Sequence, residues 1–432
     1  MSGSAAAWLL DREARALLTR LARVKPFALQ EPMLPAAALS ARAQTAIEDY
    51  LGGARRDLRR RIVAYRAWLA SPAGRWAAPE QQHRRYVALR LGFNLMLGHV
   101  DLFSDAITQR SEHEIGLWLA GLEVAAGDAL AVPGAISDPP PVVCYLDRGP
   151  GGAIRRARTR LPGGGDNPVA IIRIPRERMI GSGVASSLVH EVGHQAAALL
   201  DLVASLRREL AARVRTGDPV WSLWQRWLSE IVADLWAVAR IGVASTLGLM
   251  GVVSVPRRFQ FQIRSDDPHP APWIRVKLSC RFGAALYPHP QWRELAALWD
   301  AFYPIAGLGL AERRLLGALH ATLPELVALL TGHRPAALRG ASLGEALTAT
   351  ERRPDALAAA FERIRGDPAQ LATLPPSLAF AMIGQACFDG RMTPEAESRV
   401  LAALLAHWAL SSTIAEGRMR AAQRPPGLSA AA

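Results

Sequence analysis

Five consecutive residues, His190-Glu191-Val192-Gly193-His194, concentrate more chemistry than any other stretch of the chain. On a helix, residues four apart share a face, offset by about 40° and about 6 Å along the axis. Two imidazoles at that spacing can chelate one tetrahedral ion. The glutamate between them can take a proton from a metal-bound water. The preceding SGVASSLV and the following Ala196-Ala197-Ala198-Leu199-Leu200 are small and apolar, which places the motif inside a buried helix.

A third ligand must come from elsewhere. In the metzincin pattern a glycine and then a histidine follow at fixed offsets, but those positions hold Ala197 and Leu200, which excludes that class. Downstream, WSLWQRWLSEIVADLWAV carries Glu230 and Asp234 four apart, so both carboxylates face the same way. Trp224, Leu228, Ile231 and Leu235 form an apolar stripe on a different face. An acidic pair on such a helix needs partners: a metal and a metal-bound histidine, or arginines at the surface.

HExxH followed by Glu230-Ile231-Val232-Ala233-Asp234 resembles the gluzincin metallopeptidases. Asp267-Pro268-His269-Pro270 and then Arg275 resemble the His-Pro and Arg element of heat-shock membrane peptidases and CAAX prenyl proteases. The likeness covers residues 169–280. It implies one zinc ion per chain, held by His190, His194 and Glu230, with Glu191 as general base. It further implies that Asp234 contacts a histidine ligand, that His269 or Arg275 lies near the substrate oxyanion, and that VAIIRI (169–174) is the edge strand that receives substrate. The activity implied is zinc-dependent hydrolysis of peptide bonds by metal-activated water, on a peptide or protein substrate. Two other readings stand beside it: a structural or assembly protein with a non-catalytic metal site, and a basic protein associated with nucleic acid.

The chain departs from those families in three ways. Ser229 precedes Glu230 where many gluzincins have asparagine. The clear transmembrane helices of the membrane peptidases are not expected here. The interval from His194 to Glu230 also fits no straight hairpin: one helix unbroken to Arg215 would leave the ligands at heights differing by about 14 Å. The chain must bend or unwind between Leu206 and Val220.

The elements that must position these residues are mostly helical. Spacing predicts helices over 40–69, from Pro79 onward, and over 112–130, 182–205, 219–248, 291–303, 308–331, 354–364 and 393–410. Two strand-like runs, 142–146 and 169–174, flank a glycine- and arginine-rich loop that reads as mobile. The fold expected is mainly α with a small β-sheet: an α+β zincin-like core at 132–285, a helical region at 1–131, and a second at 286–432 ending in a disordered tail from Arg424. A chain of 432 residues suits two or three such pieces.

Charge and cysteine content narrow the function classes. The net charge is +13, yet Lys25 and Lys277 are the only lysines among 51 basic residues. So strong a bias toward arginine, in an alanine-rich chain, points to GC-rich coding as much as to polyanion binding, and no nucleic-acid partner is expected. The run Arg55, Arg56, Arg59, Arg60, Arg61 reads as a solvated helix face, since no aromatic residues alternate with it. Three dispersed cysteines exclude a disulfide scaffold and favour a reducing compartment. The N-terminus has no signal-peptide pattern, and the apolar stretch Ile241–Val255 is short for a spanning helix. A cytoplasmic protein without stable membrane insertion is expected.

Overall fold

Backbone chemistry cuts the expected helices at specific residues. The structure, a computed structural model, describes residues 2–25, 33–136, 138–148, 151–176, 179, 182–214 and 218–422. It is 73% helical with one small three-stranded mixed sheet, so the chain is mainly α with a small β-sheet. The tail from Arg424 lies outside the described residues. Two compact units emerge: Met1–Leu117, Ala157–Ala170 and Thr413–Ala432 form one, and Trp118–Arg156 with Ile171–Ser412 form the other. The boundaries expected at 131/132 and 285/286 both fall inside the second unit.

In the first unit, helices Ser2–Arg23, Ala41–Ala70 and Pro79–Thr108 share a core of Leu10, Leu17, Leu58, Ile62, Leu89 and Phe93. Ser40 starts the second helix, its Oγ accepting the Ala43 N–H at 3.2 Å. Arg59, Arg60 and Arg61 stay in solvent while Leu58 and Ile62 turn inward. Part of the loop expected to be mobile is folded here. Its Pro162 carbonyl lies 3.1 Å from His99 Nε2, and Tyr50 Oη lies 3.2 Å from His99 Nδ1. Arg160 and Asp166 pair across an antiparallel bridge.

The second unit contains the sheet and the larger helical assembly. Strands β1 (Val142–Asp147), β2 (Ala153–Arg155) and β3 (Ala170–Pro175) lie in the order β1-β3-β2. β2 runs antiparallel to β3, with Ile154 opposite Ile172. VAIIRI is therefore the central strand and not the edge that its resemblance implies. Its near-continuous burial fits a strand flanked on both sides. The edge beside helix Ser182–Leu199 is β2, a three-residue strand too short to show alternation in sequence.

The helix expected over 182–205 is two, Ser182–Leu199 and Leu202–Val214, divided at Asp201. Asp201 adopts φ +51°, which a short polar side chain tolerates. The chain thus turns once before Leu206, and within the expected interval helix Leu202–Val214 ends and a new helix begins at Pro219. The helix expected over 219–248 is three: Pro219–Arg226, Leu228–Ile241 and Val243–Val253. Gly242, at φ +56°, makes the second break. Two further helices, Pro272–Leu286 and Pro376–Phe388, were not predicted by periodicity. Every residue from Trp273 to Cys280 is buried, so no polar face marks the period. Leu310–Gly332 and Pro394–Met419 are long and apolar enough to cross a membrane by length and composition, whereas the stretch Ile241–Val255 contains an 11-residue helix.

Candidate metal centre

Helix Ser182–Leu199 carries both histidines, and helix Leu228–Ile241 carries the carboxylates. The two helices cross closely enough that a Cβ at Gly193 would lie 2.8 Å from Ala233 Cα and 2.9 Å from its carbonyl oxygen. The fourth residue of the motif is therefore glycine for a packing reason. It brings the two backbones together, and with them His190, His194 and Glu230. Trp236, on the carboxylate helix, donates its indole N–H to the Ala129 carbonyl at 3.0 Å and fixes that helix against helix His113–Leu130.

Ligand atoms of His190, His194 and Glu230 all lie within 4.8 Å of one another. His190 Nε2 is 3.2 Å from Glu230 Oε2, and His194 Nε2 is 3.5 Å from Oε1. Ligands bound at about 2.0–2.1 Å around a tetrahedral ion are separated by about 3.4 Å, so the trio fits such an ion. The remaining ring nitrogens each face an oxygen, although His190 Nδ1 makes no aligned hydrogen bond. His190 Nδ1 lies 2.8 Å from Asp234 Oδ1, and His194 Nδ1 lies 3.3 Å from Ser229 Oγ. Both contacts orient the rings with Nε2 toward Glu230. Ser229 thus has a positioning role that its place beside Glu230 did not reveal in sequence.

Arg275, on helix Pro272–Leu286, grips Asp234 with two bonds of 2.7 and 2.9 Å and lies 4.0 Å from Glu230. Its fork is engaged by Asp234, so of the two alternatives for the oxyanion contact His269 has the better placement. His269 lies outside helix and strand, between two prolines that fix their own backbone φ angles. Asp267 Oδ1 accepts the His269 backbone N–H at 2.9 Å and lies 2.8 Å from its Nδ1. That leaves Nε2 facing Glu230 Oε2 at 3.1 Å. Six of the seven expected site residues are therefore joined by contacts of 3.5 Å or less, and Glu191 lies within electrostatic reach of His190, His194, Glu230 and Arg275.

The electrostatics follow from burial and crowding. Burial alone would depress the His190 imidazole, but Asp234 and Glu230 overcome it and hold the group up at about 9. Burial would raise Glu230, yet His190, His194 and His269 keep its carboxyl well below the usual range. Asp234 is likewise held low against burial by Arg275 and His190. Glu191 goes the other way: burial pushes its carboxyl up despite the two histidines. The chain also passes close above it, since a Cβ at Gly152 would lie 2.8 Å from Glu191 Oε1. Three imidazoles around one carboxylate can be balanced by protons, which repel one another, or by a single divalent cation in the same space. Comparisons of the chain with protein-family models, with curated proteins and with solved structures find no match.

Proposed function

We propose that the chain is a zinc-dependent hydrolase that cleaves peptide bonds. The observation that carries this reading is the convergence of His190, His194 and Glu230 on one point, with Asp234 and Ser229 orienting the histidines from behind. Two imidazoles and one carboxylate suit zinc better than the oxygen-loving ions. Bound there, zinc would supply Lewis acidity, lowering the pKa of water and polarising a carbonyl. The trio retains side-chain exposures of 10–16%, so substrate can reach it.

The protein's own groups divide the remaining work. Glu191, raised by burial, is the stronger base for it: its carboxylate takes the proton of the attacking water and returns it to the leaving amine. His269, drawn up by Glu230 and held by Asp267, turns Nε2 toward the trio, where its N–H would donate to the carbonyl oxygen as charge develops. Asp234, clamped by Arg275, keeps His190 from rotating. The free edge of β2, which begins just after Gly152, offers backbone groups to an extended peptide beside Glu191.

The direct test is cleavage of a broad peptide library by the purified chain before and after metal chelation. Cleavage that disappears with chelator and returns with added zinc is expected. Cleavage indifferent to chelator, or none by zinc-loaded protein, would overturn the proposal.

A further inference from the structure

Helix Pro272–Leu286 presents Arg275 to the metal centre, and its residue 277 points about 200° away around the axis. On that other side lies a cavity of about 200 Å³, lined in part by Lys277, Arg281, Arg293, His320, Cys280 and Trp292. No carboxylate is among its lining residues. Arg281 follows Lys277 by one helical turn, and Arg293 comes from helix Gln291–Phe302.

Lys277 is the unusual member. It is one of two lysines among 51 basic residues, and its side chain is only 7% exposed. In a chain that otherwise uses arginine for its cations, a buried ammonium marks a place where a compact point charge is needed and a planar fork is not. Asp300 neutralises it, with Lys277 Nζ 2.5 Å from Oδ2, and is itself held by the Trp273 indole N–H at 3.2 Å. Arg281 and Arg293 are exposed, and neither is ion-paired among the described residues. Three cations against one acid leave two positive charges around the cavity. Burial pushes the Cys280 thiol up to about 12, so no thiolate offsets them. Burial and the adjacent Lys277 hold His320 below its ordinary value, which leaves a neutral ring able to donate one hydrogen bond.

We propose that this cavity binds a phosphate dianion, free or as a phosphomonoester, with Lys277 at its floor and Arg281 and Arg293 as its arms. Arginine forks match phosphate oxygens in pairs, and lysine adds a point charge. The volume equals roughly seven waters of liquid, room for the phosphate and a small substituent against Trp292. The site is independent of the hydrolase reading.

Calorimetric titration of the full chain with inorganic phosphate and with phenyl phosphate, at constant ionic strength in chloride, tests it. One saturable site is expected for at least one of the two, and the difference between them tells a free ion from an ester. Arg281→Ala/Arg293→Ala, at exposed positions that leave the core untouched, should weaken it about tenfold or more. Lys277→Met should weaken it as well, provided its melting curve remains cooperative. No saturable heat from either compound, or unchanged affinity in the double arginine variant, would overturn the assignment.

Discussion

Among the histidine–carboxylate contacts of the second unit, two clusters are built differently. At the end of helix Leu310–Gly332, His333 sits in a line between two groups of helix Leu202–Val214. Its Nε2 lies 2.8 Å from Ser205 Oγ and its Nδ1 lies 2.5 Å from Glu209 Oε1. Ser205 Oγ also reaches the Asp201 carbonyl at 2.7 Å. Each group has a partner and nothing converges, so the arrangement is a clamp joining two helices. Around Glu230, by contrast, three imidazoles crowd one carboxylate. Contact between histidine and carboxylate is common to both. Convergence on a shared point is what the cluster around Glu230 has and the pin at His333 lacks.

Breaking the convergence should have the largest effect. His190→Ala or His194→Ala should remove zinc from about one equivalent to background in elemental analysis, while His333→Ala leaves the metal content at the wild-type level. Asp234→Asn keeps the ligands but loosens His190. It should lower zinc affinity about 10–100-fold in a chelator competition. Acid should act in the same direction. Protons compete with metal for His190, whose pKa without metal is held at about 9, so zinc affinity should rise with pH toward that value and flatten above it. An affinity that falls between pH 7 and 9 would contradict the assignment of His190 as a ligand.

Packing changes should be smaller. Gly193→Val forces the helix crossing apart and should cost about 1–3 kcal/mol in denaturant unfolding, with weakened zinc binding. His333→Ala leaves Ser205 and Glu209 without their shared partner. It should cost about 1–3 kcal/mol as well, with no change in zinc affinity. If both variants lost metal equally, the distinction between the two clusters would fail.

The residues of the candidate site were legible because helical spacing is local: His190 with His194, and Glu230 with Asp234, are each one turn apart. Gly193 was visible only as a member of the motif. Its steric role depends on Ala233, which approaches through the tertiary crossing. Helix Pro272–Leu286 was hidden because its stretch Trp273–Cys280 is buried on every side and carries no hydrophobic period. The order β1-β3-β2 depends on a three-residue strand inside a loop, so VAIIRI could be recognised as a strand but not as the central one. The turn at Asp201 uses a non-glycine residue at positive φ, which sequence rarely signals.

The central claim is that the convergent cluster does chemistry as well as bind metal. Glu191 separates the two, being beside the ligands without being one of them. Peptide-library cleavage should therefore be measured for wild type and Glu191→Gln at equal zinc content. The account predicts that the variant keeps its zinc and loses about 10²–10⁴-fold of the cleavage rate, the usual contribution of a positioned base. Cleavage at the wild-type rate by the zinc-loaded variant would contradict it.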